Sequence, residues 1–184
     1  TELGYPMDAD TWARRFAVVQ AVSPALAHRL DAMVPGLRIE IAPMPLDAQA
    51  LARARERTHE VRRLCPADVA AHSTALRVVA ARLIAAKRIE RALDDVAKRG
   101  GYLVLLGDGP ERQRLRQHAV NLGIRHHFAG MVPHEEALTW LAAADEVLAP
   151  LAPDEGAPTV VLEARALGTS VTTYESVSIG RKKK

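Results

Sequence analysis

Residues 75–106 read ALRVVAARLIAAKRIERALDDVAKRGGYLVLL, and the alternation inside this stretch decides the fold. ALRVVAA (75–81) reads as a strand, KRIERALDDVAKRG (87–100) as a helix and YLVLLG (102–107) as the next strand. The same rhythm continues downstream. PERQRLRQHAVNLG (110–123), HEEALTWLAAA (134–144) and PTVVLEARALG (158–168) are helices, alternating with strands HHFAG (126–130), EVLAP (146–150) and SVTTY (170–174). Short strands alternating with helices of ten to fifteen residues require right-handed crossovers. The expected fold is therefore α/β: a Rossmann-like, doubly wound parallel sheet with helices on both faces.

Upstream of residue 75 the pattern is looser. FAVVQAV (16–22) reads as a strand, Ser23 and Pro24 as the N-cap and first residue of a helix to about Met33, and LRIEIAP (37–43) as a second strand stopped by Pro43 and Pro45. Asp47 then caps a long Arg-rich helix ending near Pro66. The expected division is residues 1–45 as the end of a preceding domain and crossover, 46–75 as a linking helix, 76–176 as the Rossmann-like domain and 177–184 as a tail.

Composition narrows the function. The 184-residue chain is 48% hydrophobic but only 4% aromatic, so its core is built mainly from Ala, Val and Leu in closely packed layers. Its net charge of +3 comes from the tail, because Arg181–Lys184 contribute four positive charges and the body is close to neutral. With no basic stripe carrying interleaved aromatics, nucleic acid is not an expected partner. No apolar run is long enough to span a bilayer, so any membrane association would be peripheral. The single cysteine, Cys65, fits a reducing, cytoplasmic compartment.

In an open parallel sheet, ligands bind outside the carboxyl ends of the strands. Three groups of residues fall there. Arg82 follows the strand 75–81 and Lys87 stands five residues later; Gly107-Asp108-Gly109-Pro110 follows the strand 102–107; Glu155-Gly156 follows the strand 146–150. Arg82 offers a planar fork and Lys87 a mobile point charge, a pair able to neutralise a diphosphate. Lys87 in a first helical turn opposes the helix dipole, which favours an anionic visitor. The glycines of GDGP permit a tight turn, with Pro110 as first helical residue, but lack the third glycine of a dinucleotide fingerprint.

With Pro158 as first helical residue, Glu155 precedes the helix and Glu163 lies about 7–8 Å along it. Carboxylates repel phosphates, so two glutamates flanking a diphosphate would face hydroxyl groups instead. Hydroxyls, anion, hydroxyls is the layout of a sugar nucleotide.

The stretches ARLIAAK, LVLLGDGPERQRL, HHFAGMVPHEE and EGAPTVVLEA, in this order and spacing, resemble the C-terminal, donor-binding half of GT-B glycosyltransferases of family 4 (group 1). These are retaining enzymes that use nucleotide-activated sugars, and the resemblance covers about residues 15–174. It implies that Arg82 and Lys87 hold the donor diphosphate and steady the leaving nucleotide. Glu155 and Glu163 match the two glutamates of the EX7E motif, one beside the transferred sugar and one on the ribose hydroxyls. The loop of Gly130, Met131 and Val132 matches the stretch whose backbone meets the base; Gly107, Gly109 and Gly156 allow close approach to the ligand. Glu155, Arg82 and Lys87 are the implied catalytic residues. No metal and no tightly bound cofactor are implied, the nucleoside diphosphate sugar being the substrate.

Two departures stand out. Ala81 occupies a position that is usually glycine, and the chain runs YESVSIGRKKK after the last strand, with most of an acceptor-binding half not present. The expectation is thus a donor-binding portion that is silent alone. A sugar-nucleotide epimerase or hydrolase of the same fold, and a non-catalytic nucleotide-binding module, remain open alternatives. Smaller features read as structural: His126-His127 lacks a third metal ligand, Asp94-Asp95 lies within a helix, His134-Glu135-Glu136 suits a helix start, and Trp12 and Trp140 are packing residues.

Overall fold

The computed structural model of the chain describes residues 15–42, 44–151 and 158–174. The chain divides between Pro45 and Leu46 into two units. In the first, β1 (Val19–Ala21) and β2 (Ile39–Ile41) pair in parallel and are joined by α1 (Pro24–Met33). Ser23 is the N-cap: its hydroxyl accepts from the Leu26 amide at 3.2 Å, and Pro24 opens the helix where its missing N–H costs nothing. Both strands are shorter than the apolar runs that predict them, and Phe16, before β1, is 50% exposed.

The second unit holds a five-stranded, all-parallel sheet in the order β5-β4-β3-β6-β7, with β3 (Leu76–Ala80), β4 (Tyr102–Leu106), β5 (Arg125–Gly130), β6 (Glu146–Pro150) and β7 (Ser170–Tyr174). Sequence order reverses between β3 and β6, so this is a doubly wound sheet whose switch point lies between those two strands. Period-two alternation sorts the strand residues onto two faces. Leu76, Val78, Val104, Leu106 and Val147 pack with α2 (Ala48–Glu56), α3 (Thr58–Arg62), α4 (Ala67–Ala70), α7 (His134–Ala143) and α8 (Thr159–Leu167). Val79, Leu103, Leu105 and Leu148 pack with α5 (Glu90–Arg99) and α6 (Arg112–Asn121). Trp140 is 3% exposed inside the first core, a packing residue as its sequence context implies.

Several element boundaries differ from the sequence expectation. The Arg-rich helix from Asp47 is broken at Arg57 into α2 and α3, although Asp47 caps it as expected, accepting from Gln49 and Ala50. The break lets α3 bury Arg62, which donates to the Ala143 and Val69 carbonyls and pairs with Asp145 at 2.8 Å. Lys87 is not in the first turn of an α-helix. It ends a short 3₁₀ turn (Ala85–Lys87), Arg88 follows at φ 47°, and α5 starts at Glu90 because Ile89 drops into the core at 1% exposure. Lys87 therefore opposes no α-helix dipole, and an anion is not called for on that ground. Pro110 lies in a turn before α6, and Pro158 is the flanking N-cap of α8 instead of its first residue, its carbonyl accepting from Val161.

One polar cluster sits inside the second face. Glu146, first residue of β6, is 9% exposed and accepts from Arg77 of β3 at 3.0 Å, from Arg99 at 2.6 Å and from Thr172 of β7 at 2.6 Å. Arg99 also bonds Asp95, which accepts from the Tyr174 hydroxyl at 2.7 Å. Burial pushes the Glu146 carboxyl up, but the hydrogen bonds from Arg99, Thr172 and Arg77 outweigh it and leave it below the usual carboxylate range. Burial and the Asp95 carboxylate hold the Tyr174 phenol well above its usual value.

Candidate functional site

The carboxyl ends of β3, β4 and β5 are tied to one another by main-chain hydrogen bonds. Ala81 donates to the Leu106 carbonyl at 3.0 Å, Leu83 to that of Asp108 at 2.9 Å, Glu111 back to Leu83 at 3.0 Å, and Gly107 to Gly130 at 2.7 Å. A bulge makes the last contact possible: β5 carries one extra residue, Ala129, so that Gly130 and not Ala129 stands opposite Leu106. Gly107 has φ +120°, and a Cβ there would fall on the Ala81 carbonyl, so the approach demands glycine.

The three tied loops enclose a shallow cleft of about 160 Å³ lined by Ala81, Arg82, Gly107, Asp108, Met131 and Val132. Arg82 is exposed there. Asp108 would repel an anion, but both its oxygens are engaged: one accepts from the Gly109 amide at 2.7 Å, the other from Arg112 at 2.8 Å. Arg112 also flanks Gly130 from behind. Lys87, five residues beyond Arg82, is buried at 8% exposure.

Glu163 lies in the second turn of α8, the helix that follows β6, and is 8% exposed. Because β6 neighbours β3 in a parallel sheet, the connections leaving both strands open onto the same edge. Its carboxylate hydrogen-bonds His134 Nε2 at 2.7 Å, and His134 begins α7 only two residues after Val132 in the cleft wall. Glu155 and Gly156 lie outside the described residues. The described cleft thus unites Arg82, Gly107, Met131 and Val132, with Gly109 and Gly130 in its tied loops and Glu163 joined through His134.

A wider cleft, about 430 Å³, opens at the opposite edge of the sheet beside Asp145 and Arg62. There the strands begin, and the Arg62 guanidinium is consumed by its three internal partners, so the smaller cleft at the carboxyl edge is the candidate site. Among the described residues, no group of three or more His, Cys, Asp or Glu could hold a metal ion, and no helix is long and apolar enough to cross a membrane. His126 instead donates from Nδ1 to the Ile124 carbonyl at 2.8 Å, and Asp94 pairs with His118.

Residues 77–181 match the family described as glycosyl transferases group 1. The chain belongs to that family. This group 1 glycosyltransferase is 35% identical over 77 residues to a 2-deoxystreptamine N-acetyl-D-glucosaminyltransferase of Streptomyces fradiae, a match covering 41% of this chain and 18% of the relative. It is 30% identical over 106 residues to an exopolysaccharide phosphotransferase of Streptomyces coelicolor, covering 55% and 11%. Its fold resembles that of HepE from Anabaena, solved with UDP and glucose: TM-score 0.72, 21% identity, 89% of this chain and 46% of that one. The chain therefore spans less than a fifth of the curated relatives and about half of the solved one. The fold is the C-terminal half of the GT-B architecture, as the resemblance carried by the four sequence stretches implies.

Sequence reasoning passed over two residues of this candidate site. His134 was readable only as a helix-start residue, because its partner Glu163 is 29 positions away. Arg112 stands four residues after Asp108, a spacing that does signal a pair on a helix entry.

Proposed function

We propose that this chain supplies the donor site of a sugar transferase: it binds a nucleoside diphosphate sugar, and the whole protein moves the sugar to an acceptor with retained anomeric configuration. Arg82 and Lys87 take the diphosphate, the loop Gly130–Val132 meets the base, Glu163 accepts from the ribose hydroxyls, and Glu155, with Gly156 beside it, attends the transferred sugar. Gly107 and Gly109 let the loops after β3 and β4 close on one another, main chain against main chain, so that the floor beneath the phosphates is made of peptide groups. Charge that develops on the departing diphosphate is stabilised by the two cations, which requires no metal. The half-buried thiol of Cys65, pushed up by burial, fits a reducing cytoplasm.

The observation that carries this reading is the cleft itself: an exposed Arg82 facing a loop wall of Met131 and Val132 across main chain, beside the switch point. Family membership favours transfer over epimerisation or hydrolysis. Calorimetric titration of the chain with ADP, GDP and UDP should give saturable binding to at least one. Arg82→Ala should weaken it about 10–100-fold, the loss of a charge-assisted bidentate contact. Equal binding by parent and variant would remove Arg82 from the site.

A further inference from the structure

The contact between His134 and Glu163 has a chemical direction. An ionised carboxylate only accepts hydrogen bonds, so the imidazole must carry its proton on Nε2 and donate it to Glu163 Oε1 across 2.7 Å. Among the described residues, His134 is the hydrogen-bond partner of this carboxylate, whose side chain is 10% exposed while that of His134 is 65% exposed. A carboxylate this far from water adopts whichever rotamer its donors dictate. The His134 bond takes one of the several acceptor sites of the carboxylate, and the others can accept from a ligand.

The segment that carries His134 is also the wall of the cleft. Gly130 is bonded to Gly107, Met131 and Val132 line the cleft, Pro133 sets the entry to α7 at φ −56° and ψ 150°, and His134 follows as its first residue. The imidazole therefore stands where the cleft wall meets α8, the helix that carries Glu163. We propose that His134 is a positioning residue: it holds Glu163 in the rotamer that accepts from the ribose hydroxyls of the donor, so that the base wall and the ribose acceptor are set by one continuous segment. This rests on the donor-site reading above. A tie that merely staples α7 to α8 would affect every ligand alike, whereas a positioning bond acts only through the hydroxyls Glu163 would meet.

That difference defines the experiment. Binding of UDP and of 2′,3′-dideoxy-UDP, with the matching ADP and GDP pairs alongside, is measured by calorimetry for the parent chain, His134→Ala and His134→Gln. The parent should prefer the hydroxylated nucleotide. His134→Ala should weaken UDP about tenfold while changing its dideoxy counterpart less than about twofold, and His134→Gln, whose amide can donate from a similar position, should recover most of the loss. A discriminating parent with His134→Ala weakening both nucleotides equally, or neither, overturns the positioning role and leaves the donor site standing. A parent that binds both forms equally, or binds no nucleoside diphosphate, overturns the ribose role of Glu163 and the proposal with it.

Discussion

Glu146→Ala should lower the stability of the second unit by about 3–5 kcal/mol, because it strips the carboxylate from a buried pair and leaves a cation inside. Arg77 is 7% exposed and lies in β3, so its guanidinium has no route to water once Glu146 is gone. For a chain of this size the melting temperature should fall by roughly 10 °C or more. The loss should reach the site, since β3 carries Arg82 at its other end and β6 leads into α8. The pH dependence has a definite sign. The Glu146 carboxyl is depressed in the folded protein, so its contribution is fully present above the unfolded value of about 4.3 and is lost as pH falls through the folded value. Urea unfolding should therefore show a wide gap between parent and Glu146→Ala at pH 7 that narrows at pH 3. A constant gap would mean the carboxylate's charge is not what holds Arg77.

Gly107→Ala is the second large effect. The new methyl group would overlap the Ala81 carbonyl, and φ +120° is itself strained for alanine, so about 2–5 kcal/mol should be lost. Gly168 provides the control. It ends α8 at φ +85° with nothing within 4 Å of the added carbon, and Gly168→Ala should cost only about 1 kcal/mol. If thermal unfolding ranks the two substitutions equally, main-chain closeness at Gly107 is not what shapes the rim. Nucleotide binding separates them further, because only Gly107 belongs to the tied loops.

The sheet was legible because its central strands β3, β4 and β6 are largely apolar runs bounded by turn residues, while the edge strands β5 and β7, RHHFAG and SVTTY, were legible from their places in the alternation with helices. Helix starts were less so. Lys87 and Pro110 look like first-turn residues by local chemistry, but Ile89 and the Leu83–Asp108 bonds, which are tertiary, move both helices downstream. At the cleft, Arg82, Gly107, Met131 and Val132 were legible from their places after strands. The charge cluster of Arg77, Glu146, Arg99 and Thr172 was not, since its members come from four elements and none departs from its local pattern strongly enough to predict a partner. His134 shares that fate: its partner Glu163 lies 29 residues on, in the neighbouring helix of the same sheet face.

The knitting of strand ends by amide-to-carbonyl bonds, described for Ala81, Leu83, Gly107 and Gly130, has an engineering corollary. A floor made of peptide groups keeps its shape whatever side chains stand on it. Residues 81, 131 and 132 can then be randomised as a library to retune what the cleft admits, while the scaffold beneath stays registered and Asp108 keeps its hold on Gly109 and Arg112.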